Sequence, residues 1–261
     1  MIFDLPALTL GLLVLAAFVA GWIDSVVGGG GLIQLPSLLI GLPDTPAATV
    51  SGTNKVSSVA GTLAASATYV RRVGVSWPTA LPLVVLSYAG SSAGAALVQY
   101  LDRKWFTPLV LLAIVGIGWY TLRKPELGLH HAPRHEGGAN YLRLAGIGLG
   151  VGLWDGVVGP GTGTIFVILL VSVMGYAFLQ SSVLAKLANL ATNAGAIGVL
   201  AFSGHVLWGL GLCMAAANLS GGLIGSLMAI RLGNDFIRKV FLAAIVILGS
   251  KLAYDTVRMF V

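Results

Sequence analysis

Charge is what this chain of 261 residues has least of: only 9% are Asp, Glu, Lys or Arg, against roughly 25% in a soluble domain. So few charges cannot cover a water-facing surface. That excludes a soluble enzyme, a disordered chain and a nucleic-acid module. Cysteine is nearly missing too. The lone Cys213 excludes an internal disulfide scaffold. Histidine is scarce, at four residues. Three of them, His130, His131 and His135, sit in a basic loop with no Cys or paired carboxylate at ligand spacing, so neither a metal nor a cofactor is expected. What fills the chain instead is apolar: 57% hydrophobic residues and a mean hydropathy of +0.93. This is the composition of an all-α polytopic protein of the lipid bilayer. The net charge of +6 reads as Lys and Arg flanking membrane segments, not as a nucleic-acid surface. Asp4, not a basic cluster, precedes the first apolar stretch, which reads as a retained helix.

Embedded segments are expected near 6–27, 31–42, 46–70, 74–101, 105–122, 141–158, 163–178, 181–202, 206–231 and 236–257. Two of them are short. The stretch Leu32–Leu42 reaches about 16 Å as a helix, against a hydrocarbon core of about 30 Å. It and its counterpart near 163–174 are expected as half-helices or re-entrant pieces, giving eight to ten embedded segments. The one substantial polar loop runs from Arg123 to Arg143. It divides a first unit, 1–122, from a second, 141–261, through a linker at 123–140 whose basic content places it in the cytoplasm.

The two units are alike. GWIDSVVGGGG at 21–31 returns as GLWDGVVGPGT at 152–162, an offset of 131 residues from Asp24 to Asp155. The register holds without a gap: Lys55 meets Lys186, Trp77 meets Trp208, Gly90 and Gly94 meet Gly221 and Gly225, and Leu101 meets Leu232. AIV at 113–115 meets AIV at 244–246. Such a duplication is the architecture of many secondary transporters, with substrate held at the repeat interface. Five segments per half would invert the second copy. Loop charges lean the same way: Arg71 and Arg72 have Phe202 and Ser203 as counterparts, whereas Arg231, Arg238 and Lys239 outweigh Arg103 and Lys104.

Against the apolar background, the polar residues stand out. Asp24, Asp155, Lys55 and Lys186 lie inside hydrophobic segments, each costing roughly 2.5–3.5 kcal/mol to insert near a helix centre. They must be paired, hydrated or near an interface. Ser51, Lys55, Ser58 and Thr62 recur at steps of 4, 3 and 4, one face of a helix whose start Asp44 or Thr45 can cap ahead of Pro46. The second copy places Ser182, Lys186, Asn189 and Asn193 there. Two such stripes should face each other or an aqueous cavity. The glycine runs Gly28–Gly31 and Gly159–Gly163, the latter with Pro160, break helices and expose backbone N–H groups. Gly30, Gly31, Gly161 and Thr162 are therefore candidate anion donors, with Thr164 and Gln34 beside them. Asp24 and Asp155 either cap the glycine turns or carry protons. Gly90, Gly94, Gly221 and Gly225 read as close helix contacts, and Trp77 and Trp208 as interface anchors.

The motif G-x-x-D-x-x-x-G-x-G-G (Gly21, Asp24, Gly28, Gly30, Gly31), the GTNK run (Gly52, Thr53, Asn54, Lys55) and the weaker second copy (Gly152, Asp155, Gly159, Gly161, Lys186) resemble the sulfite exporter TauE/SafE family, also called the 4-toluene sulfonate uptake permease family. The resemblance covers nearly the whole chain. It implies a multi-pass transporter of the bacterial inner membrane for sulfite, sulfonates or related organosulfur anions, not an enzyme, and adds Thr53 and Asn54 to the candidate site. The second copy departs from the pattern at Leu184 and Ala185, which would make the site lopsided. A coupling proton or sodium ion and a homodimer are compatible with this reading. An anion channel, a carrier of a non-sulfur organic anion and an intramembrane enzyme are its rivals. The last lacks a Ser–His–Asp set within the spans, His205 lying at a loop edge.

Overall fold

A computed structural model describes residues 5–102, 104–106, 108–110, 112, 116, 134 and 137–260. The described residues are helical, without a strand. The helices are α1 (Ala7–Val27), α2 (Gly31–Gly41), α3 (Ala47–Arg72), α4 (Trp77–Val98), α5 (Gly137–Val157), α6 (Thr162–Ser172), α7 (Phe178–Phe202) and α8 (Trp208–Phe260). Most of the expected segment at 105–122 and of the linker at 123–140, including His130, His131 and His135, lies outside the described residues. The segments expected at 206–231 and 236–257 are two helical runs that meet at a kink at Gly233 (φ 71°, ψ −163°) and together carry the label α8. The segment expected at 163–178 ends at Ser172, where the chain leaves the helix through Gly175 at φ 79°.

Among the described residues, four stretches are long and apolar enough to cross a bilayer: Ala7–Val27, Trp77–Val98, Phe178–Phe202 and Trp208–Gly233. Helix α3, at 26 residues, is about 39 Å long, but its polar stripe lowers its hydropathy. The burial pattern is that of a membrane protein. Leu8, Leu12, Leu15, Trp77 and Trp208 point outward, while Lys55, Lys186, Asn193 and Gln34 are buried. The neighbours of α3 differ from expectation at its start. Pro46, not Asp44 or Thr45, holds the cap position, and it makes no side-chain cap hydrogen bond. A proline there fixes the entry angle and contributes no N–H to satisfy.

Helices α2 and α6 have 11 residues each, about half of what a span requires. Helix α2 folds back along α1: Gly30 lies against Ala20 and Asp24, and Gly41 against Leu13. The chain thus enters and leaves on one side. Such a segment is tolerated at membrane depth only when protein surrounds it. Leu35 and Leu38 of α2 are buried in one apolar cluster, and Phe166 and Leu170 of α6 in another. The breaks themselves meet: Thr164 N–H donates to Gly28 O at 3.0 Å, and its hydroxyl to Val27 O at 3.2 Å. Gly28, at φ 83°, faces Gly163 with no room for a Cβ on either.

Small residues let the long helices touch backbone to backbone. Gly21 meets Asn218, Gly221 meets Phe18 and Trp22, and Gly225 meets Trp22, so α1 and α8 run parallel. Gly152 meets Ser87, Gly90 meets Leu149 and Leu153, and Gly94 meets Leu153, so α4 and α5 run parallel as well. Each contact of one set becomes a contact of the other on adding or subtracting the offset from Asp24 to Asp155. Gly52 beside His205 and Gly61 beside Asn218 align α3 with α8 in the same sense. At one end of the bundle, Tyr176 donates to Asn140 at 3.2 Å, and the α3–α4 turn (Gly74, Val75, Ser76) shares a cavity with Tyr176 and Gln180.

Overpacking a core typically costs about 1–3 kcal/mol, and more where backbone must move. Gly221→Leu is therefore expected to lower the thermal unfolding midpoint in detergent sharply. Gly11→Ala, at a glycine with no neighbouring atom within 4 Å of an added Cβ, should leave it unchanged or slightly higher.

Candidate functional site

The site lies where the two glycine breaks, the polar stripes of α3 and α7 and the ends of α1 and α5 converge. Position 55 is on the α3 face that α3 turns inward, and the 3.6-residue repeat brings Ser58 and Thr62 with it. Lys55 Nζ reaches Asp155 Oδ2 of α5 at 2.5 Å. Lys186 Nζ of α7 reaches Asp24 Oδ2 of α1 at 2.7 Å. The pairing is exchanged: each lysine bonds the aspartate of the opposite half of the chain. All but one of these four side chains are at most 3% exposed; Asp24 is at 15%. That answers the insertion cost of four buried charges, since each carries its counter-ion. It also separates the two roles entertained for the aspartates. Neither carboxylate caps a glycine turn. The Asp24 backbone carbonyl does that, accepting Gly28 N–H at 2.8 Å, and Trp154 O accepts from Val158 at 2.8 Å.

Between the pairs lies a cavity of about 20 Å³, lined by Asp24, Lys55, Asp155, Asn54, Ser58, Asn189, Asn193 and the break residues Gly28, Gly31, Gly159, Gly161, Thr162 and Gly163. That is room for about one water molecule. Of the first-turn amides of the half-helices, Gly31 N–H and Gly163 N–H find no acceptor among the described residues, whereas Ile33, Gln34 and Thr164 bond backbone carbonyls. Asn54 Oδ1 is buried without a partner. The centre thus holds unused amide donors beside two ammonium groups and two carboxylates, a set suited to a small anion whose charge is balanced nearby.

Of the residues singled out from sequence, the structure gathers Lys55, Asn54, Ser58, Asn189, Asn193, Gly31, Gly161 and Thr162 around this cavity, with Asp24 and Asp155. Lys186 stands one bond behind it, on Asp24. Ser51, Thr53 and Gly30 do not line it. Thr53 uses its hydroxyl twice within the protein, donating to Thr49 O at 2.7 Å and accepting from Leu207 N–H at 3.0 Å. Gly30 packs on the Ala20 carbonyl and on Asp24 Cβ. Ser51 is buried one turn before Lys55. The donors expected from Gln34 and the threonines are spent elsewhere. Gln34 bonds Asn54 O at 3.3 Å and receives Asn218 at 2.9 Å, and Thr162 donates to Gly159 O at 2.7 Å. The partner set of each charge is what sequence reasoning missed. Its signal was present, because two Lys and two Asp in apolar helices must neutralise one another. Asn218 was missed altogether; its Nδ2 also ties α8 to Ala17 O at 3.0 Å.

A family model described as sulfite exporter TauE/SafE matches residues 13–252. The chain belongs to this family. It is 34% identical to a probable membrane transporter protein, ORF9, of Sinorhizobium sp, over 97% of this chain and 95% of that one. It is 31% identical to the probable membrane transporter protein YfcA of Escherichia coli K12, over 98% and 93%, and 31% identical to a probable membrane transporter protein of Haemophilus influenzae, over 94% and 95%. No solved structure matches. This TauE/SafE protein is therefore a multi-pass membrane transporter, not an enzyme, which agrees with the four apolar spans among the described residues.

Removing one partner of a buried ion pair leaves an uncompensated charge, at a cost of about 3–5 kcal/mol, whereas replacing both by apolar residues is often neutral. Asp155→Asn is accordingly expected to destabilise the protein more than Lys55→Met combined with Asp155→Leu. Chemical denaturation in detergent measures the order, and the reverse order would show that the pair does not act as a unit.

Proposed function

We propose that this TauE/SafE protein carries a small sulfur-containing monoanion or dianion, such as sulfite or a sulfonate, across the membrane by alternating access. The substrate is held between Lys55 and Lys186 by the ammonium groups, the amides of Gly31 and Gly163, and the side chains of Asn54, Ser58, Asn189 and Asn193. The observation that carries this reading is the convergence of Lys55, both aspartates and both helix breaks on one small cavity, with Lys186 paired to Asp24 behind it. A cavity with room for about one water is too small for sulfite or a sulfonate, so the halves must move apart to admit the substrate, which favours a carrier over a channel.

The two halves act, in this reading, as inverted repeats about an axis through the contact between Thr62 and Asn193 (3.4 Å), positions that are counterparts of one another. The parallel packing of α1 with α8 and of α4 with α5 supports it. The short connection between α3 and α4 makes those two antiparallel, and α3 runs with α8. The helices at corresponding places, α1 with α5, α3 with α7 and α4 with α8, then point in opposite directions. The α1–α2 hairpin opens toward one membrane face and the α5–α6 hairpin toward the other. Arg71, Arg72, the start of α5 and Arg231 fall at one end, which the excess of basic residues assigns to the cytoplasm. Rocking of one half against the other would expose the cavity to each face in turn.

The test is uptake of sulfite and of methanesulfonate into proteoliposomes. Lys55→Ala is expected to abolish uptake while the purified variant keeps its helicity and elutes as a single species. Undiminished flux in a folded Lys55→Ala protein would remove the lysine from the mechanism.

A further inference from the structure

The two exchanged ion pairs carry no net charge: two ammonium groups face two carboxylates. The cavity between them therefore has no uncompensated positive charge to offer an entering anion. Closing the halves over a monoanion would seal one surplus negative charge into a dry interior, which is strongly unfavourable. Among the described residues the site has no spare cation. The titratable and charged groups at or beside it are Asp24 from α1, Lys55 from α3, Asp155 from α5 and, behind Asp24, Lys186 from α7 and Tyr69 from α3. Tyr69 is turned away, its hydroxyl donating to Ser25 O at 2.8 Å. Helices α2, α6 and α8 add no titratable group to the cavity among the described residues; Arg231 and Lys239 of α8 are exposed. With these groups, neutrality is restored when the anion brings a cation with it, and among the described residues the bases lining the cavity are the two aspartates.

We infer that transport is proton-coupled through exchange of counter-ions: the anion takes over a lysine from its aspartate, and the released carboxylate binds one proton that enters with the substrate. This rests on the central cavity being the anion site. The balance is one proton per monoanion. The Lys–Asp ion pair becomes a Lys–anion pair plus a neutral carboxylic acid, and the proton leaves Asp on the far side as the pair re-forms. Two aspartates allow two protons, which matches a dianion. The pairs are not equal in access. Asp24 is 15% exposed and Asp155 is 2%, so Asp24 is the first to exchange. With each lysine already satisfied by an aspartate, the halves can meet without substrate, and the empty carrier can reorient.

The experiment separates this from the reading beneath it. Purified protein in weakly buffered detergent is titrated with methanesulfonate, whose charge does not change near neutrality, and in parallel with sulfite, while a soluble dye follows pH. The expected result is uptake of one proton per methanesulfonate bound, with affinity rising about tenfold for each unit of pH lowered while the carboxylates of the empty site are ionised. Binding with no proton uptake and no dependence on pH overturns the coupling and leaves the anion site standing. Binding of neither anion overturns the anion site, and the coupling with it. Asp24→Asn is expected to bind methanesulfonate with proton uptake cut by at least half, while Asp102→Asn, at an exposed pair with Lys104, matches the unaltered protein. If Asp24→Asn does not fold, the wild-type titration decides the question alone.

Discussion

Four charges in a low-dielectric interior can persist only as pairs, and the way this chain pairs them determines the rest of its structure. Lys55 bonds Asp155 and Lys186 bonds Asp24, so each half of the molecule is neutralised by the other. A half that folded alone would bury a lysine and an aspartate apart from the partners each bonds. The exchange therefore ties the two halves through buried side chains. It also brings α1 and α5 to a stop at the same place. In each, the aspartate lies four residues before a left-handed glycine, Gly28 or Gly159, so the carboxylate projects from the last helical turn beside the break.

The glycines solve a second problem created by the first. Bringing six helix segments to one point requires backbones closer than side chains permit. Gly21, Gly90, Gly152 and Gly221 each face a neighbouring backbone with no room for a Cβ. In lipid no hydrophobic force drives helices together, so this contact area and the buried hydrogen bonds must supply the association. Asn218 is placed where both are used: its Nδ2 bonds Ala17 O and Gln34 Oε1 while its backbone seats Gly21 and Gly61. At the cavity itself, Asn54 Oδ1 is left without a partner.

Much of this was legible in the sequence, for reasons that can be named. Composition alone dictates a bilayer, because 9% charge cannot solvate a surface. The stripe of Ser51, Lys55, Ser58 and Thr62 follows from helical periodicity, and the length of α2 follows from where glycine and proline stand. Three things were not legible. A stripe says which face is polar but not which partner it meets, so the exchange of aspartates between halves needed the tertiary arrangement. Gln34 and Thr53 look like free donors in a sequence, yet a polar group in a packed helix bundle bonds the nearest carbonyl, and both do so. The cap expected from Asp44 or Thr45 failed because Pro46 occupies the cap position of α3, and its ring has no oxygen to accept from the first-turn N–H groups.

The strength of a buried ion pair is easily misjudged, and the misjudgement matters here. Its Coulombic attraction is largely offset by the desolvation of both ions, and apolar residues of similar size often give an equally stable or more stable protein. Stability is therefore a poor reason for a membrane protein to hold two such pairs, each built from residues costly to insert. What a pair offers that leucines do not is a second state: the attraction is transferable, and another anion can replace the carboxylate with little change in the total energy. A site built from strong, irreplaceable contacts would hold its ligand or its closed form and never turn over. The near cancellation that makes Lys55–Asp155 and Lys186–Asp24 weak as staples is what suits them, in the proposed cycle, to be opened and remade at each passage.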